Sequence, residues 1–230
     1  YLILSVFIFL FLSLGFFYSF YIVYDDFARK DGLSAAGCSS DPFGWMSFFS
    51  MLNPGIILSH SPSFQNDLSM RNGYLGLFAL PLLYYYIRNR KAIGHSYFLV
   101  FGIVFLCIAM GDIFPFRRWL YYTVPMMNLF RFSALFRFWA EGCFLWVSLL
   151  ALHHIYHSHQ YKAFRKILKY YFFFYVIATL VFFSILHSED NLIQPIELYA
   201  AIGSVQLTLL GFAIYYLSKA QSPTSKILVI

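Results

Sequence analysis

HHIYHSHQYKAFRKILKYYFFFYVIATLVFFSIL, residues 153–186, sets a histidine- and lysine-rich block directly before an apolar run, 170–186, that carries no charge. A run of this kind approaches the roughly 20 helical residues that cross a bilayer core. The basic block before it reads as the cytoplasmic flank of a membrane span.

Composition extends this to the whole chain. Of 230 residues, 60% are hydrophobic, 23% aromatic and only 11% charged, and the mean hydropathy is +0.67. Soluble domains carry about 25% charged residues. The sequence therefore predicts an all-α, polytopic membrane protein forming a single transmembrane domain over residues 1–230. With 170–186, the apolar runs 2–23, 73–87, 96–110, 134–151 and 196–217 predict about six transmembrane helices. Short interfacial or re-entrant helices are expected between them. One is residues 43–52, anchored at the interface by Trp45 and stopped by Asn53-Pro54-Gly55. Another runs from Arg117 to Met127, between Pro115 and Pro125. Pro81 is expected to kink the second span.

Charge placement sets an orientation. Arg88, Arg90, Lys91, Lys162, Arg165, Lys166, Lys169, Lys219 and Lys226 fall on one side of the predicted membrane, and all ten acids fall on the other. By the positive-inside rule the basic side is cytoplasmic, with both ends of this segment there. The net charge of +6 is thus a topology signal in short blocks, and nucleic acid is not expected as a partner.

Few residues suggest chemistry. Cys38, Cys107 and Cys143 have neither disulfide nor metal spacing and read as packing residues. His153, His154, His157 and His159 have no carboxylate or thiolate on their side, so no metal site is expected. Asp25-Asp26 reads as a solvated span terminus. Nucleotide-binding and hydrolase motifs are missing from the sequence. A first residue, Tyr1, inside an apolar run suggests a fragment of a longer chain.

The arginines are the exception. GDIFPFRRWLYYTVPMMNLFRFSALFRFWAE, residues 111–141, places Arg117, Arg118, Arg131 and Arg137 on the external side, against the basic bias. A charge at mid-bilayer costs about 2.5–3.5 kcal/mol on insertion scales, less where it snorkels. Arg117 and Arg118 fit either a helix tied to headgroups or a site that steers an anion. Arg131 and Arg137 lie about 240° apart on a continuous helix, so they converge only if the chain bends near Ser133. Arg137 either pairs with Glu141 one turn on, or joins Arg131 in holding a phosphate by paired hydrogen bonds. Asp112 and Glu141 are the expected charge partners.

The order of features is similar to a known family. Gly32-Leu33-Ser34, Asn53-Pro54-Gly55, Tyr74-Leu75-Gly76, Gly111-Asp112 and the run from Pro125 to Phe130-Arg131 occur in sequence over residues 32–151. This resembles the central membrane part of the YfhO-like bacterial membrane proteins, relatives of the GT-C glycosyltransferases. The family's Phe-Arg-x-Pro pattern is altered: Ser133 replaces the proline and Leu135 the following basic residue, with Arg137 two positions on. The resemblance implies a bacterial inner-membrane protein that handles a polyprenyl-phosphate-linked sugar at its external face. It also implies that the catalytic acid, and any divalent metal, lie outside this chain. Membrane lipids and other proteins are the remaining expected partners. The alternative is a non-catalytic membrane subunit or scaffold of a larger complex.

Overall fold

The structure is a computed structural model, and it describes residues 32–55, 66–67, 70–125, 127–187 and 195–219. The expected first span, 2–23, and Asp25-Asp26 lie outside the described residues. Among the described residues seven α-helices form: α1 (Ala35–Cys38), α2 (Ala79–Ile93), α3 (Ser96–Ala109), α4 (Phe116–Thr123), α5 (Arg137–His157), α6 (Tyr161–His187) and α7 (Pro195–Lys219). Short 3-10 turns include Trp45–Met51, Met127–Leu129 and Ser133–Phe136. Among the described residues there is no strand, only one isolated bridge between Ser40 and Phe132.

Among the described residues two stretches are long and apolar enough to cross a membrane, Ser133–His157 and Ala200–Ser218, and Ser96–Ala109 is a shorter apolar helix. α5 is the central element, packed on both α2 and α3, while α6 pairs with α7. Its buried residues Ala140, Phe144, Val147, Ser148, Ala151 and Ile155 recur at helical spacing and form one face. Its other face is apolar as well, with Phe138, Trp139, Leu145, Trp146, Leu149 and Leu152 all exposed. A helix apolar all round belongs in a core or in lipid, and this exposed half supports lipid.

The packing is close. A Cβ on Gly102 of α3 would come within 2.6 Å of the Phe144 ring, so only glycine lets α3 approach α5 there. The Ser148 hydroxyl donates to the carbonyls of Phe144, one turn back, and Ala79, at the head of α2. Tyr85, Tyr86, Val147, Leu168, Tyr175 and Leu210 make up the centre of the main core.

Two expectations shift. α2 begins at Ala79, later than the expected 73, because Pro81 sits in its first turn, where a missing N–H costs nothing. Pro81 therefore opens the helix, and the break in α2 lies instead at Asn89 (φ −110°, ψ 16°), whose side-chain amide donates to the Tyr85 carbonyl. The expected fifth span also lengthens, since α6 starts at Tyr161 and carries the basic block within its first turns.

Candidate functional site

The segments before α2 and between α3 and α5 form a knot of loops at one end of the helices. Residues 33–43 run beside 127–133: the Leu33 amide donates to Asn128 at 2.8 Å, and Ser133 donates to Ser40 at 3.4 Å. Phe43 donates to Ala109 at the end of α3 at 2.9 Å, which seats the same loop on the helices.

Arg117 holds this knot together. It is completely buried; its Nε donates to the Cys38 carbonyl at 3.1 Å and its Nη2 to the Phe130 carbonyl at 2.6 Å. Its guanidinium also lies over the Phe136 ring at 5.5 Å. Burial lowers its pKa from the ordinary arginine value, yet a guanidinium stays charged at neutral pH. Of the two environments expected for Arg117, headgroup or ligand, the structure gives neither. The signal was in the spacing: Arg117, Leu120 and Tyr121 share one face of α4, and Tyr121 donates to the Leu33 carbonyl at 2.9 Å.

Arg137 is likewise inward. Only 4% exposed, it donates to the Met70 carbonyl at 3.0 Å, lies over the Phe138 ring at 4.8 Å, and its Nε is 3.6 Å from a Glu141 oxygen. The pairing with Glu141 one turn on is therefore present. The neighbouring segment is fixed by Arg71, a buried cation that sequence reasoning passed over. Its Nε and Nη2 both donate to the Asn66 carbonyl, at 3.0 and 2.7 Å. Burial lowers the Arg71 pKa, and Asp67 partly offsets this.

Arg131 and Arg118 face outward. Arg131 is exposed, its guanidinium 5.1 Å from the Phe132 ring. Arg118 makes a 3.4 Å contact with Asp112, which also accepts from Ser39 at 3.0 Å. With both members largely exposed, such a pair contributes about 1 kcal/mol at most. The bend expected at Ser133 exists as the turn Ser133–Phe136, but it leaves Arg131 at the surface and carries Arg137 into the interior.

Beside Arg131 lies an apolar groove of about 540 Å³ lined by Met127, Phe130, Phe132, Leu135, Phe136, Phe138 and Trp139. Arg131 thus stands in sequence between two lining residues, at the entry to α5. The groove wall is open: Phe130, Phe138 and Trp139 are each more than half exposed. No carboxylate among the described residues lines it. Among the described residues no three histidines, cysteines, aspartates or glutamates come together as a metal site, although the rings of His153 and His157 lie 4.2 Å apart, tilted by 55°.

No family model, no curated protein and no solved structure matches this chain.

Proposed function

We propose that the chain is a bacterial inner-membrane protein that binds a polyprenyl-phosphate-linked sugar at its external face, as part of a GT-C-like glycosyl transfer of the YfhO-like kind. The observation that carries this is the apolar groove of Met127–Trp139 with exposed Arg131 next to it, between the lining residues Phe130 and Phe132 and with its guanidinium 5.1 Å from the Phe132 ring. An isoprenoid chain needs an apolar trough, and its phosphate needs a permanent cation able to make two hydrogen bonds. Arg131 is that cation, and Arg118, released from its weak pair with Asp112, steers the phosphate towards it. Arg117 and Arg137 build the site from behind, holding backbone carbonyls rather than ligand. The six-span topology with both ends of the segment cytoplasmic belongs to the same proposal, and the charge asymmetry of the sequence supports it. By the same family resemblance the catalytic acid is assigned to a part of the protein beyond this chain, and none of the described residues lining the groove is a carboxylate.

Replacing Arg131 by Gln removes charge-assisted hydrogen bonds worth about 1.5–3 kcal/mol, so affinity for polyprenyl phosphate falls about ten- to a hundredfold. Titration of the purified, folded protein measures this, and an unchanged affinity sinks the proposal. A scaffold role is the second reading, favoured by exposed Trp45, Trp119 and Tyr122 on the loop knot. Under that reading Arg131→Gln leaves lipid binding alone and instead loses a protein partner on co-purification.

A further inference from the structure

A second groove lies on another part of the molecule. It measures about 510 Å³, within the roughly 300–1,000 Å³ common to ligand pockets, and is lined by Leu80, Pro81 and Tyr84 of α2 and Ile167, Tyr170, Tyr171 and Phe174 of α6. Its walls are apolar and aromatic. Both helices carry their stripe one turn further into cations. On α2 the series Leu80, Tyr84, Arg88 advances four residues at a time, and on α6 the series Phe174, Tyr170, Lys166, Lys162 does the same in reverse. Tyr84, Arg88, Lys162, Lys166, Tyr170 and Phe174 are all exposed. The two cationic ends coincide, because Tyr85 of α2 donates to Gln160, just before α6, at 2.7 Å and packs against Phe164 of α6.

Among the described residues these cations form no ion pair with a carboxylate. The pairs Arg118–Asp112 and Arg137–Glu141 lie at the other end of α5 or in the loop knot. The first turn of α6 holds no acid, so Lys162, Arg165 and Lys166 stand against the positive end of the helix dipole. An anion there relieves both repulsions.

We propose that this groove is a binding site for a phospholipid with an anionic headgroup: one acyl chain lies between α2 and α6, and the headgroup phosphate sits against Arg88, Lys166 and Lys162. Tyr84 and Tyr170 mark the level of the headgroup, where amphipathic rings collect. Basic pockets between membrane helices recognise anionic headgroups by this combination of trough and rim. The site is independent of the groove around Arg131.

Native mass spectrometry of the detergent-solubilised protein, titrated with phosphatidylglycerol or phosphatidylcholine of the same chains, tests it. The intact protein is expected to retain one phosphatidylglycerol at least about fivefold more tightly than phosphatidylcholine. Arg88→Gln with Lys166→Gln abolishes that preference, and Leu80→Trp, which fills the trough, weakens retention of both lipids. These variants alter exposed or half-buried positions, and an unchanged thermal midpoint verifies their fold. Equal retention of the two lipids, or a preference that survives the charge variant, overturns the proposal. So does charge-dependent retention indifferent to Leu80→Trp, which means surface adsorption without a seat. Displacement by inorganic phosphate overturns it too, since that reveals a site for a free anion.

Discussion

Arg117→Ala is expected to produce the largest loss of stability of any single substitution in the loop knot. The side chain is fully buried and its nitrogens satisfy the carbonyls of Cys38 and Phe130. Removing it strands the buried Cys38 carbonyl, at about 1–3 kcal/mol, takes a donor from the partly buried Phe130 carbonyl, and opens a cavity besides. A fall of about 3 kcal/mol or more follows, visible as a lower thermal midpoint in detergent. Arg117→Lys recovers only part of it, because a single ammonium lacks the spread of nitrogens that reaches both carbonyls. A midpoint unchanged in Arg117→Ala contradicts the role given to this residue.

Arg137→Gln has a different cause and a distinguishable signature. It leaves Glu141, with a side chain only 19% exposed, without its cation inside an apolar helix. Breaking a buried pair by removing one partner costs about 3–5 kcal/mol, whereas removing both is much milder. Arg137→Gln combined with Glu141→Gln is therefore expected to regain most of the stability lost in Arg137→Gln. The regain stays incomplete, because the Met70 carbonyl still loses its donor. A strictly additive double variant shows that the two side chains do not act on each other, contrary to their 3.6 Å separation.

Much of the helical scaffold was legible because its cause is local. The uncharged run 96–110 folds as Ser96–Ala109, and 196–217 as Pro195–Lys219, each bounded by the residues that end its apolar pattern. The short helix expected over Arg117–Met127 was legible in place but not in length: it spans Phe116–Thr123, because Pro125 pushes Val124 before it into an extended conformation and ends the helix four residues early. The start of α2 was less so: apolar residues from Gly73 onward mimic a span, but 71–76 are not helical, and tertiary bonds hold this stretch, with Gly73 donating to the Ser50 hydroxyl at 2.7 Å. The arginines divide along the same line. That they lie in the segment joining two helices is readable from sequence. Which of them turns inward depends on carbonyls contributed by Cys38, Met70 and Phe130 from distant or irregular stretches. Hydrophobic periodicity does not encode such partners. The groove at Met127–Trp139 was likewise hidden, because it arises from two consecutive 3-10 turns that fold six aromatic or aliphatic side chains and one methionine around a common space.

Photo-crosslinking with a polyprenyl phosphate carrying a photoactivatable group on its isoprenoid chain tests the central claim most directly. The account predicts adducts on the segment Met127–Trp139, concentrated at Phe130, Phe138 and Trp139, that unlabelled polyprenyl phosphate competes away and that Arg131→Gln suppresses. Labelling spread over the exposed faces of α5 and α7, indifferent to competitor and to Arg131→Gln, contradicts it.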